Sequence, residues 1–330
     1  MFGIVLSLFF GFVPVFFYAW LIYWIDRYEK EPKILLGVVF IWGVIVAAGG
    51  AFLINTTLGI GVFLLTGSET ATDLATGSLI APIVEESLKG LAVLLVFFAF
   101  YKEFDSVLDG IVYAAITALG FAATENTYYI YTYGFQEGGY LGLFVLAFVR
   151  VILVGWQHPF YTAFIGIGLA MARLNRSWLI KILAPLFGLL IAIATHSLHN
   201  TFASLLSGAL GLLAGTMIDW AGWLGMFILI LWMLTQEQRN LARQLSEEAQ
   251  AGILTQAQYK VACSAWQQSA ARFGSLFSGN FRATSRFYQL CGELAHKKYQ
   301  FQKMGDENGN LATIDRLRNE LAALSRQAQA

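Results

Sequence analysis

The sequence predicts an all-α fold: a polytopic bundle of membrane-crossing helices followed by a cytoplasmic helical domain. Three observations carry this. The chain has 330 residues, of which 57% are hydrophobic and 13% charged, against about 25% charged in a soluble domain. Its apolar residues gather into about seven runs long enough to cross a hydrocarbon core, which takes roughly 20 helical residues. Beyond residue 235 the composition turns abruptly to Gln, Ala, Arg and Glu.

The runs lie at about 2–25, 34–56, 78–101, 109–132, 141–172, 182–205 and 216–234. The first has no basic n-region or cleavage site, so it is expected to stay as an anchor. Lys and Arg alternate between the connections. Residues 26–33 carry Arg27, Lys30 and Lys33, residues 102–108 carry Lys102, and residues 173–181 carry Arg173, Arg176 and Lys181. The connections 57–77, 133–140 and 206–215 carry none. Positive-inside orientation therefore predicts the N-terminus outside and the C-terminal region, with twelve more Lys and Arg, in the cytoplasm.

The fifth run is too long for one span. Counted back from Arg173, its embedded part is 153–172, which leaves 141–152 along or above the outer surface with Arg150 at the interface. One helix kinked near Pro159 keeps the charge census consistent. The expected division is thus 1–234 in the membrane and 235–330 as the cytoplasmic helical domain.

Formal net charge is zero, so no overall field recruits nucleic acid. Cys263 and Cys291 fall outside any metal-ligand pattern and are expected as reduced thiols. Asp306, Asn308 and Asn310 faintly suggest a calcium loop, but Gly309 comes too early and an ordinary turn is the better reading.

Ionisable groups stand out against this background, because a charge at mid-membrane costs at least a few kcal/mol and normally faces a cavity, a partner or a task. EESLK supplies Glu85, Glu86 and Lys89. FAATEN supplies Phe121, Glu125 and Asn126. QHPFYT supplies His158, beside Gln157, Tyr161 and Thr162, and HSLHN supplies His196, His199 and Asn200. At about 1.5 Å per helical residue, these groups fall about 8–14 Å below the outer face on four different spans. Glu86 with Lys89 also reads as a structural ion pair, and His199 as interhelical glue. One lysine, however, cannot neutralise two carboxylates.

Such a set can run peptide hydrolysis: a Glu with His158 to activate water, and His196 with Asn200 to donate to an oxyanion. It is equally a zinc ligand set drawn from Glu86, Glu125, His158 and His196, with one Glu left as base. No HExxH or serine elbow decides between them. The rival from another class is a proton- or cation-coupled transporter, though repeated halves are absent.

The ordered motifs EESLK, FAATEN, QHPFYT and HSLHN, with the EKEP of Glu29 to Pro32, resemble the PrsW family of bacterial intramembrane proteases. That family is similar in turn to the CAAX prenyl protease and bacteriocin-processing group. The likeness covers about residues 20–205. It implies endopeptidase action on a membrane-protein substrate in a bacterial cell membrane, in the best-known case an anti-sigma factor cut on its outer side. It carries over to Glu85, Glu86 and Lys89, to Phe121, Glu125 and Asn126, to His158, and to His196 with Asn200. Where the wider group has FxxxH, this chain has Glu125, so the histidine that activates water is expected from His158. The resemblance leaves both a zinc-dependent and a glutamate-type mechanism open.

Overall fold

The computed structural model describes residues 2–26, 30–206, 208–306 and 309–328. Among these, every regular element is helical. The chain separates into one unit of residues 1–25 and 31–227 and a second of residues 26–30 and 228–330.

The first unit contains α1 (Phe2–Ile25), α2 (Lys33–Thr66), α3 (Glu69–Ala75), α4 (Ala81–Ala99), α5 (Val107–Tyr129), α6 (Glu137–Ala147), α7 (Gln157–Arg173), α8 (Trp178–Leu205) and the start of α9 (Gly208–Gln250). Among the described residues, five helical segments are long and apolar enough to cross a membrane: Phe2–Ile25, Lys33–Thr66, Val107–Arg173 (broken at 154–156), Trp178–Leu205 and Leu213–Gln250. Leucine, isoleucine and phenylalanine side chains stand exposed along α1, α2, α8 and α9, as lipid-facing helices require. The protein is a multi-pass helical membrane protein.

The centre of this unit is α5. It starts at a capping box in which Ser106 Oγ accepts from Asp109 N–H and Asp109 Oδ2 accepts from Ser106 N–H, satisfying two donors that a helix start leaves open. Residues 108–123 are buried without interruption. Small residues let the neighbours close in: Gly110 and Ala114 on α5 meet Gly166 and Ala170 on α7, and Gly120 meets the Phe40 carbonyl on α2. In a lipid solvent that close packing is a main source of helix association.

The run 141–172 departs from the single kinked helix expected. It forms two helices: α6, continued by a π-helical turn at Phe148–Leu153, and α7, with residues 154–156 non-helical between them. Pro159 does not kink anything. It sits in the first turn of α7, where its missing N–H has no intrahelical partner to lose.

Nor does 141–152 stand apart from the other helices. Phe144 packs against Phe10 at 5.8 Å and Tyr18 Oη donates to the Val151 carbonyl at 2.7 Å, so α6 runs alongside α1 in the same direction. Opposite α5, α7 continues that direction, with His158 near Glu125 and Gly166 near Gly110. The two helices follow one another in a single direction through the unit. As a result Arg150, expected at the interface, sits beside Glu125.

Among the described residues, π-helical turns also interrupt α2 at Gly43–Ala47, precede α4 at Thr76–Ile80 and follow α5 at Ile130–Gln136. Such widened turns frequently mark functional sites. Gly43 abuts the backbone of Thr117 and Phe121, and Gly77 receives a side chain from α8.

The second unit takes the rest of α9 with α10 (Gln256–Ala262), α11 (Ala265–Phe277), α12 (Phe281–Met304) and α13 (Asn310–Ser325). Leu241, Leu245, Phe287, Tyr288, Leu294, Leu317 and Leu321 are among its fully buried core. Glu248 is buried beside it, taking both Arg318 Nε and Nη2 at 2.8 Å and Lys298 Nζ at 3.0 Å. Cys263 and Cys291 are free thiols. Asp306 Oδ1 accepts from Leu311 N–H at 2.9 Å. Asn308 lies outside the described residues, as do Arg27 and Glu29.

Candidate active site

The site is built on α4, whose adjacent Glu85 and Glu86 point to different partners. Glu86 is fully buried and fully engaged. Its Oε1 takes Lys89 Nζ at 2.5 Å and His196 Nδ1 at 2.9 Å, and its Oε2 accepts from Thr162 Oγ1 at 2.8 Å. Lys89 also lies 4.4 Å from the centre of the Phe121 ring, a cation–π contact that helps hold a charge with no water around it.

Glu85 is different. Its Oε1 receives only a long bond from Asn55 Nδ2 at 3.4 Å, and its Oε2 is buried with no hydrogen-bond partner. That oxygen lies 3.9 Å from His196 Nε2.

From α5, Glu125 accepts from the Arg150 guanidinium and meets His158 Nε2 at 2.8 Å. Asn126 Oδ1 accepts from Arg150 Nε at 2.9 Å, and Tyr129 lies under the same guanidinium at 4.0 Å. His158, at the start of α7, divides its ring between Glu125 and Lys89 Nζ, the latter 3.3 Å from Nδ1. Its edge meets the Phe121 ring at 5.1 Å. The His196 ring stacks on Tyr161 at 4.9 Å, and Tyr161 Oη donates to the buried Asp219 at 2.6 Å.

Four helices therefore bring Glu85, Glu86, Lys89, Phe121, Glu125, Asn126, His158 and His196 into one contact network. Two sequence candidates are engaged elsewhere. Asn200 Nδ2 donates to the Gly77 carbonyl at 2.8 Å, tying α8 to the turn before α4. His199 Nδ1 lies 2.8 Å from Asp219 Oδ2, though off hydrogen-bond alignment. Within EKEP, Glu31 accepts from Tyr113 Oη away from this network.

Sequence reasoning missed Asn55, Arg150 and Asp219, and gave Tyr161 and Thr162 no role. Asp219 carried the same signal as the glutamates, a charge inside an apolar run. Arg150 and Asn55 are recognisable only once helices are packed.

The donor set suits a cation. Glu86 accepts at His196 Nδ1, which fixes the proton there and leaves Nε2 as a lone pair. That lone pair lies 3.9 Å from the unpartnered Glu85 oxygen, so two acceptors stand next to each other. Glu85, His158 and His196 each offer a ligand atom, all within 4.8 Å of one another. Of the ligand set expected from sequence, His158 and His196 are in this group, while Glu86 and Glu125 stand behind it as partners of the two imidazoles.

Comparison with known proteins decides what such a constellation belongs to. A family model described as "PrsW family intramembrane metalloprotease" matches residues 31–233. The chain belongs to the PrsW family. The matched segment contains every residue of the network above. Among relatives, Protease PrsW of Geobacillus kaustophilus is 28% identical over 213 residues, 63% of this chain and 79% of its own. Protease PrsW of Bacillus subtilis is 25% identical over 241 residues, 67% and 88% of the two chains. That of Clostridioides difficile is 36% identical over 114 residues, 33% and 45%. No solved structure matches the chain. This PrsW-family protein is an intramembrane protease acting on protein substrate in a membrane, and no observation supports the transport alternative.

Proposed function

We propose that the protein hydrolyses a peptide bond of a single-span membrane protein near the outer face of a bacterial inner membrane. Zinc would be held by Glu85, His158 and His196. An anti-sigma factor is the substrate class that the family resemblance implies. The observation that carries this reading is the unpartnered, buried Glu85 Oε2 facing His196 Nε2.

Bound there, zinc would polarise the scissile carbonyl and lower the pKa of a coordinated water to about 7. His158 would join by giving up one of its present partners. The remaining work falls to the protein. Lys89 and Thr162 hold Glu86, Glu86 orients His196, and Tyr161 braces the ring from its face.

Glu125 is the proton acceptor. Its side chain is 19% exposed where that of Glu86 is 0%, which makes it the more accessible of the two carboxylates. It takes the proton of the attacking water and delivers it to the departing amine. Asn200, expected as an oxyanion donor, is committed to Gly77. Arg150 replaces it: Nε and Nη2 serve Asn126 and Glu125, and Nη1 remains to meet a developing oxyanion.

The test incubates purified protein with single-span substrates and measures cleavage alongside metal content, with and without chelator. One zinc per chain, lost together with cleavage on chelation and in Glu85→Gln, is expected. Cleavage that persists in metal-free protein would overturn the zinc assignment, and cleavage unchanged in both Glu85→Gln and His196→Ala would overturn the site.

A further inference from the structure

On α11 the usual amphipathic arrangement is inverted. Gln268 and Ser275 are buried, whereas Trp266, Phe273, Leu276 and Phe277 are 77%, 64%, 53% and 81% exposed. Trp266, Ala270, Phe273 and Phe277 follow one another at four, three and four residues, so they share one face. Phe281, 40% exposed, opens α12 just beyond. A helix facing water would turn these residues inward, because burying one large apolar side chain is worth about 1.5–3 kcal/mol.

The charge along this stretch of sequence has one sign. From residue 249 to residue 292 the chain holds Lys260, Arg272, Arg282 and Arg286 and no Asp or Glu. Arg286 is taken up by Glu293 and Glu320, while Lys260 and Arg282 stand exposed. The segment also reaches this unit directly from α9, whose Leu213–Gln250 portion is apolar enough to cross a membrane.

We infer that α11 is an interfacial helix that seats Trp266, Phe273, Phe277 and Phe281 in the headgroup zone of an anionic phospholipid bilayer. Lys260 and Arg282 face the lipid phosphates. Exposed aromatics on one face and a basic, acid-free surround are the composition of helices that lie in a membrane surface. Each basic residue close to an anionic surface strengthens the attraction, within the reach of a Debye length. The helix thereby gives the C-terminal unit a second attachment to the membrane, independent of the active-site chemistry.

The test uses the full chain in nanodiscs of phosphatidylcholine with phosphatidylglycerol, and of phosphatidylcholine alone. Cys263→Ser removes the accessible thiol, buried Cys291 stays, and a spin label is placed at Ala270→Cys, or at Ala323→Cys on α13 as reference. Collision rates with dissolved oxygen and with a water-soluble nickel chelate report depth. The label at 270 is expected to favour oxygen over chelate several-fold more than the label at 323. That preference should shrink in phosphatidylcholine alone, in Lys260→Glu/Arg282→Glu and in Phe273→Ser/Phe277→Ser. Equal chelate access at both positions would overturn the inference. Shielding from both probes, with dipolar coupling between labels, would place a second copy on this face and overturn it as well.

Discussion

His196 Nδ1 lies 2.9 Å from Glu86 Oε1, and this contact turns the opposite ring nitrogen toward the unpartnered oxygen of Glu85. In the proposed zinc site, two neighbouring glutamates on one helix would thereby have different tasks: Glu86 would orient a ligand and Glu85 would be one. The difference predicts how their substitutions part.

In Glu85→Gln, both cleavage and zinc content should be lost. In Glu86→Gln, which removes the charge that orients His196 and pairs with Lys89, zinc affinity and activity should fall by roughly 10–100-fold, as for other outer-shell partners of metal-binding histidines. Zinc titration of the two purified variants separates them. Equal metal affinity in both would remove the distinction.

Glu125→Gln keeps the shape of the proton acceptor and removes its basicity. Turnover should drop by about 10²–10⁴-fold while zinc content stays at the wild-type level. Metal analysis and cleavage rates from one preparation make the comparison. Loss of zinc along with activity would move Glu125 from acceptor to ligand.

Lys89→Met leaves Glu86 as an uncompensated charge at a fully buried position. Breaking a buried pair from one side costs about 3–5 kcal/mol. The variant should unfold at markedly lower temperature in detergent, and adding Glu86→Gln should recover part of the loss. A double variant no more stable than Lys89→Met would mean the pair is not the source.

Gly166 presses on the Gly110 carbonyl where α5 and α7 cross. Gly166→Leu should force the helices apart and move His158 away from Glu125. Cysteine cross-linking between α5 and α7 should fall together with cleavage. Retained cross-linking with normal activity would refute the tight crossing.

In the C-terminal unit, burial would raise the Glu248 carboxyl, but its bonds to Arg318 and Lys298 outweigh that and hold it below its ordinary value of 4.5. A depressed carboxyl contributes stability above its unfolded pKa and loses it as pH falls through the folded one. Hydrogen exchange in α12 and α13, corrected for intrinsic rate, should accelerate as pH drops below about 4.5. Glu248→Gln should exchange faster at neutral pH and show a flatter acid dependence. A wild-type profile as flat as that of the variant would rule this out.

The alternation of apolar runs and basic connections, together with charges placed inside apolar segments, determined by itself the membrane solvent, the helical class and most of the side chains that the structure gathers into one network. Those are local properties: hydropathy, helix length and the cost of burying charge are each read within a single run. The resemblance of four motifs added the family.

Which carboxylate is saturated with partners was decided by tertiary structure alone. Glu85 and Glu86 are indistinguishable neighbours in EESLK, and only the approach of Thr162 and His196 from other helices saturates one and leaves the other open. The break at residues 154–156 likewise depends on α6 finding α1 as a neighbour, and it brings Arg150 to Glu125. Asn200 was drawn off to Gly77 by a turn that no periodicity announces. Helix identity follows from a continuous stretch of chain, whereas hydrogen-bond partners from separate helices exist only after the helices have packed.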